Sequence, residues 1–210
     1  AIIGASALVA DGVITPSLTV MASIEGLKQI KGLELGINPI LAITTIILVV
    51  IFVIQQFGTS FIGKFFGPIM VIWFLFLGIM GIINLQYHPE ILKSFNPYYA
   101  YKLIVNSPKA LWILGAVFLC TTGAEALYSD LGHCGAKNIR VSWFFVKVML
   151  ILNYLGQGSW LLKNYEMVFT GTNPFFGMLP QFLIIPAVIL ATAAAIIASQ
   201  ALITGSFTIF

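Results

Sequence analysis

The chain has 210 residues, of which 60% are hydrophobic and only 8% are charged, with a formal net charge of +3. Soluble domains carry roughly 25% charged residues, and ten basic plus seven acidic side chains cannot cover a water-soluble surface of this size. These numbers exclude a water-soluble globular enzyme, a disordered chain and a nucleic-acid-binding protein. The two cysteines, Cys120 and Cys134, form no disulfide framework. We therefore predict an integral membrane protein.

Six segments are apolar for long enough to cross the roughly 30 Å of a bilayer's hydrocarbon core, which takes about 20 residues each. In chain order they are 2–27, 38–56, 66–84, 108–130, 141–162 and 176–204. The sequence therefore predicts an all-α, polytopic helical membrane protein in which residues 1–210 form one transmembrane domain. Both ends of the chain lie inside apolar patterns, so we expect it to be a fragment of a longer protein.

The longest connection, 86–109, carries Tyr98, Tyr99 and Tyr101, a density of tyrosine typical of the lipid headgroup region.

Charge does not settle the orientation of the spans. The first, third and fifth loops, which share one side, hold six lysines, whereas the second and fourth loops hold Lys64, Lys137 and Arg140 in much shorter segments.

Polar residues inside the first span indicate an ion site. Asp11 lies near mid-depth, and Thr15 and Thr19 follow it about 40° and 80° around a helix. Pro16 has no N–H to bond the carbonyl of Gly12, so oxygen atoms line one strip. Oxygen ligands suit a hard cation. Two alternatives stay open: the threonines bond back to their own helix, or the aspartate pairs with a lysine elsewhere.

The fourth span contains Thr121, Thr122 and Glu125 around Gly123, which is poor material for a helix interior. A discontinuous helix within 108–130 would explain this composition, since broken helices offer carbonyl groups and helix ends to ions. The alternative is a plain helix with Glu125 near the membrane surface.

Glu25 lies on the same face of the first span as Asp11, but about 21 Å further along the axis, near the end of that span.

Enzyme motifs are absent from the sequence, so no enzyme activity is expected. There is no HExxH zinc motif, and Ser159 is not part of a GxSxG turn. An intramembrane aspartyl pair of Asp11 and Asp130 is disfavoured because Asp130 falls at the end of a span. The fifth span carries an amide- and glycine-rich patch, NYLGQGS at 153–159, which close helix packing explains as well as function does.

Four blocks of sequence resemble the KUP/HAK/KT family of potassium uptake permeases. They are ADGVITPS at 10–17 followed by SIEGL at 23–27, FGT to FGPIM across 57–70, TGAEALYSDLGH at 122–133, and NYLGQG at 153–158. Ala10, Cys134 and Ser159 depart from the family pattern, which has Gly, Phe and Ala there. The blocks occur in order over about 150 residues.

This resemblance implies the fold of the amino acid–polyamine–organocation superfamily, with two inverted five-helix halves, of which the chain would supply the third to eighth helices. The segment 108–130 would then be the broken sixth helix of that fold. The resemblance also implies that the second and fourth loops face the cytoplasm.

The implied activity is secondary active uptake of potassium, with proton symport, across the inner cell membrane. The site residues implied are the potassium ligands Asp11, Thr15, Thr19 and Thr122, and the proton-coupling carboxylates Glu25 and Glu125. No cofactor is expected beyond potassium as the transported substrate and protons as the coupling ion. The expected partners are potassium, protons and the lipid bilayer, with no nucleic acid, and a homodimer stays open. The alternative function is a potassium channel without proton coupling, although the sequence has no TVGYG-type filter.

Overall fold

The computed structural model describes residues 2–30, 32, 35–55, 63–120, 135–164 and 173–207. Within these ranges the chain is helical and contains no strand, which confirms the predicted all-α fold. The helices are α1 (Ile2–Ile24), α2 (Ile37–Gln55), α3 (Gly63–Leu85), α4 (Pro97–Asn106), α5 (Ala110–Cys120), α6 (Ala136–Lys163), α7 (Pro174–Gly177) and α8 (Gln181–Phe207). Two 3₁₀ helices, Glu25–Gln29 and Pro89–Phe95, follow α1 and α3.

Three helices in the described ranges are long and apolar enough to cross a membrane: Lys64–Leu85, Ala136–Lys163 and Gln181–Ile203. A shorter apolar helix covers Ile37–Val53. Pro16, Pro68 and Pro186 lie inside α1, α3 and α8, a position that helices of membrane proteins tolerate when neighbouring groups satisfy the freed backbone. The chain is thus a multi-pass membrane protein.

Proline and asparagine set the starts of two short helices. Asn96 and Asn173 accept hydrogen bonds from the backbone N–H groups of Tyr98 and Phe175, each at 3.0 Å, and a proline follows each asparagine. Such side chains cap a helix, and proline suits its first position.

The predicted sixth span, 176–204, overlaps both α7 and α8. The two helices are separate because Pro180, which lies between them, cannot continue the first one.

Helices α3 and α6 form a close pair that runs in the same direction. Gly78 lies against Met149, Gly81 against Leu152, and the carbonyl of Asn84 accepts a hydrogen bond from Ser159 Oγ at 2.9 Å. A Cβ atom on Gly81 would lie 2.3 Å from the Leu152 oxygen. Glycine is therefore required at this crossing, as in many membrane helix pairs.

Helices α1 and α8 run in opposite directions. Ser23 Oγ lies 3.1 Å from Thr192 Oγ1, and further along, Gln181 Nε2 donates to the Gln29 carbonyl at 3.3 Å. One core cluster near this contact contains Trp160, Phe176, Ile184 and Ala187, and a second joins α1, α2 and α8 through Val20, Ile51, Ala195 and Ile203.

The ends of several helices lie together at one end of the bundle. We refer to this end of the bundle as the C-terminal end of α3. Asn84, at that end, bonds Ser159 of α6 and donates to the Met178 carbonyl just before α8 at 3.4 Å. The Gln29–Gln181 bond brings the end of α1 to the same place. The ends of α1, α3 and α6 and the start of α8 therefore share one end of the molecule.

Candidate functional site

The structure brings together the first two residues of the predicted oxygen strip. Thr15 Oγ1 donates a short hydrogen bond to Asp11 Oδ1, one turn earlier on α1, and both residues are half-buried. Gly12 and Pro16, beside them on the helix, are buried. Because α1 continues through Pro16, the Gly12 carbonyl receives no helical hydrogen bond from residue 16.

Thr19 continues the strip by one more turn. Its hydroxyl donates to the Thr15 carbonyl at 2.8 Å and lies 3.2 Å from the Pro16 carbonyl. A hydroxyl has one proton and two lone pairs. Because the protons of Thr15 and Thr19 are both given to oxygen atoms of α1, their lone pairs remain able to face a cation. The hydroxyls thus bond within their own helix and keep the capacity to act as ligands.

The strip extends to Ser23, which sequence reasoning did not include. Its hydroxyl donates to the Val20 carbonyl at 2.7 Å and contacts Thr192 of α8. Ser23 is 6% exposed, whereas Asp11, Thr15 and Thr19 are only half-buried. The four-residue spacing that links Asp11, Thr15 and Thr19 also reaches Ser23, so continuing that spacing would have found it.

A cleft of about 360 Å³ opens beside this strip, between α1, α3, α7 and α8. Its polar residues are Thr19, Ser23 and Asn173. The rest of its lining is aromatic, sulfur-containing or small: Ala22, Met70, Trp73, Phe175, Phe176, Ala191, Ala194, Ala195 and Ala198. Thr19 and Ser23, the part of the strip that lines the cleft, therefore have mainly apolar neighbours there and few competing polar groups.

Glu25 lies apart from the strip. It begins the 3₁₀ helix after α1, and its carboxylate forms an ion pair with Lys28 at 3.0 Å. The two side chains are about one third exposed, and an ion pair of this kind contributes little to stability. Asp11 and Glu25 therefore do not form one cluster. The other two predicted site residues, Thr122 and Glu125, lie outside the described residues, as do positions 121–130 of the predicted broken helix.

The amide- and glycine-rich patch of the fifth span serves helix packing. A Cβ atom on Gly156 would lie 2.5 Å from Gly81 Cα, so the two helices meet backbone to backbone. Ser159 is fully buried; it donates to the Asn84 carbonyl and accepts from the His88 N–H, both at 2.9 Å. Asn153 is also buried, and its Oδ1 has no hydrogen-bond partner among the described residues.

A family model described as "K+ potassium transporter integral membrane domain" matches residues 1–210. Among similar proteins are "Probable potassium transport system protein Kup 1" of Lactococcus lactis subsp. lactis (strain IL1403), 56% identical over 215 residues, and "Probable potassium transport system protein Kup" of Cytophaga hutchinsonii, 52% identical over 214 residues. The protein of that name in Streptococcus agalactiae serotype V is 53% identical over 214 residues.

Each of these comparisons covers 100% of this chain and 32% of the relative, so the chain spans about a third of the length of the relatives it matches. No solved structure matches the chain. The match over residues 1–210 confirms the family resemblance found in the four sequence blocks: the chain belongs to the K+ potassium transporter family and is part of its integral membrane domain.

Proposed function

We propose that this chain is part of a secondary active transporter that takes up potassium across the inner cell membrane by proton symport. It has no enzymatic role and needs no cofactor. One observation supports this proposal most strongly: a carboxylate and two hydroxyls follow one another along α1 in a chain whose relatives are named potassium transport system proteins.

The chemistry of the strip fits a potassium ion. Asp11 supplies a negative charge, and Thr15 and Thr19 supply neutral oxygen atoms, a ligand set suited to a hard cation. Because each hydroxyl proton is donated to an oxygen of α1, the hydroxyl dipoles point their negative ends outward. Thr122, from the fourth span, is the further ligand that the family resemblance contributes.

Proton coupling needs a group that binds a proton in one state of the cycle and loses it in another. A carboxyl in a low-dielectric site favours its neutral form unless a cation compensates for its charge. Glu25 and Glu125 are the proposed carriers. Glu25 forms an ion pair with Lys28 at 3.0 Å, and the experiment below tests the coupling step at Glu125.

The full-length protein in proteoliposomes tests the class of transport. With the membrane voltage clamped, rubidium uptake should increase when a proton gradient is imposed, and Glu125→Gln should abolish that response while leaving rubidium binding intact. Uptake that follows voltage alone and ignores the proton gradient would instead identify a channel. Size-exclusion chromatography with light scattering would show whether the protein is a homodimer.

A further inference from the structure

Helix α4 presents an apolar face that no described part of the chain buries. Tyr101, Ile104 and Val105 share this face, and Lys102 and Asn106 lie about 100° and about 140° around the helix from Tyr101. Tyr101 is 67% and Val105 61% exposed, and α4 contains no buried residue. The helix is amphipathic, so its apolar face needs a partner other than water.

The position of α4 in the fold indicates where that partner lies. Two of the membrane-crossing helices, α3 and α6, end at Leu85 and Lys163. These ends are tied together because Ser159 bonds His88, and Lys163 Nζ lies 3.7 Å above the ring of Tyr87. The 3₁₀ helix that leads to α4 therefore starts at the level where two spans finish.

The 3₁₀ helix Pro89–Phe95 holds this level by packing on α6. A Cβ atom on Gly158 would lie 2.9 Å from Ile91 Cδ1, so Ile91 is seated directly against the backbone of α6. Beyond this contact the segment turns its apolar side chains outward, with Phe95 65% exposed. The chain then returns to an apolar helix at Ala110, so α4 lies between two elements of the membrane domain.

The charge of the segment favours an anionic partner. The segment 86–109 contains three lysines and one glutamate. That glutamate, Glu90, is already paired with Lys93 at 3.7 Å. Lys102 and Lys109 are exposed and have no acidic partner among the described residues. These two ammonium groups, which have no acidic partner in the described part of the chain, accompany a helix whose exposed apolar face includes Tyr101. This combination matches a surface that contains both phosphate groups and hydrocarbon.

We propose that α4 lies in the headgroup layer of the membrane and binds anionic phospholipid. Tyr101, Ile104 and Val105 enter the boundary between headgroups and acyl chains, as the apolar faces of interfacial helices do. Lys102 and Lys109 contact lipid phosphates at the same level. The segment 89–109 then acts as an anchor that fixes the C-terminal ends of α3 and α6 at one membrane surface.

Spin labelling of the full-length protein in vesicles of phosphatidylglycerol and phosphatidylcholine tests the placement. A nitroxide at Val105→Cys should collide more with oxygen than with a water-soluble nickel complex, and Asn106→Cys, the neighbour on the polar face, should show the reverse. The proposal is overturned if the label at 105 is shielded from both reagents, as under another part of the protein, or prefers the nickel complex. Broadening at 105 that disappears on dilution with unlabelled protein would identify a second copy as the partner and also overturn it.

Lipid preference tests the role of the lysines. A fluorophore at residue 105 should be quenched more strongly by brominated phosphatidylglycerol than by brominated phosphatidylcholine. Lys102→Gln and Lys109→Gln should each lower this preference by about fivefold, the effect expected for one lysine near an anionic surface. Lys137→Gln, an exposed lysine at the start of α6, is the matched control and should leave it unchanged. Equal quenching by the two lipids in the unaltered protein, or an unchanged preference in the α4 variants, contradicts lysine binding to anionic lipid.

Discussion

At the scale of single residues, the hydroxyl groups of the α1 strip can bind a cation only if their protons are donated to other oxygen atoms. Thr15 gives its hydroxyl proton to Asp11, and Thr19 gives its own to the Thr15 carbonyl. Each donation satisfies a buried or half-buried oxygen and leaves hydroxyl lone pairs to face away from the helix. The same hydrogen bonds that stabilise α1 therefore orient the oxygens that we propose as ligands.

Thr15→Val should weaken rubidium uptake by a few fold in the full-length protein, because it removes one neutral ligand and the hydrogen bond that orients Asp11, while nearly keeping the side-chain shape. Ser17→Ala is the matched control. Its hydroxyl also bonds back to α1, donating to the Val13 carbonyl at 3.0 Å, but it lies about 120° around the helix from Asp11. Equal apparent affinities for the two variants would show that the Thr15 hydroxyl only packs.

At the scale of elements, the α3–α6 pair depends on glycines that let two backbones touch. Gly81 and Gly156 face each other at the crossing, and Gly78 makes room for the Met149 sulfur. Ser159 then closes the pair at the C-terminal end of α3 through two hydrogen bonds to backbone groups 75 and 71 residues away. An alanine at position 159 could make neither of these hydrogen bonds.

Gly81→Ala should destabilise the full-length protein, because its Cβ would meet the backbone of Leu152 at 2.3 Å and the two helices would have to separate. Overpacking of this kind costs roughly 1–3 kcal/mol. Gly67→Ala lies on the same helix with nothing within 4 Å of its Cβ, so it isolates the gain in helix propensity that both changes share. The midpoint of thermal unfolding in detergent should fall for Gly81→Ala relative to Gly67→Ala. Equal midpoints would mean that α3 and α6 are not held at this distance.

At the scale of the whole molecule, the contacts between helices show which helix ends lie at the same end of the bundle. The ends of α1, α3 and α6 meet the start of α8 through the Asn84, Gln29 and Gln181 bonds, so Lys64 and Lys137, at the starts of α3 and α6, lie at the other end. The family resemblance predicts that this other end faces the cytoplasm.

Cysteine labelling in cells checks that orientation. In full-length protein whose native cysteines are replaced by serine, Lys109→Cys should react with a membrane-impermeant maleimide added outside, and Lys137→Cys should react only after the membrane is permeabilised. Both residues are exposed, so access to the reagent and not burial decides the result. The reverse pattern would invert the predicted orientation.

Local spacing explains what the sequence could predict. The order of apolar segments indicated an all-α membrane protein, and the four-residue spacing of Asp11, Thr15 and Thr19 placed three oxygens on one face of α1. The contacts of Ser159 with Asn84 and His88, and the meeting of Gly81 with Gly156, join residues about 75 positions apart, so no local pattern encodes them. The cleft is likewise formed by four helices together. The break between α7 and α8 depends on Pro180, which the apolar pattern of 176–204 conceals.

The central claim is that Asp11 binds potassium as a carboxylate, and Asp11→Asn tests it most directly. The change keeps the shape of the side chain and removes its charge. A charge pair about 4 Å apart is worth about 4 kcal/mol at an effective dielectric constant of about 20, before desolvation, and a net loss of about 1.4 kcal/mol already weakens binding tenfold. Rubidium uptake measured against concentration, at equal membrane abundance of the full-length variants, should therefore show at least about a tenfold higher half-saturating concentration for Asp11→Asn than for Ser17→Ala. An unchanged half-saturating concentration for Asp11→Asn would contradict the claim and leave the strip on α1 as packing alone.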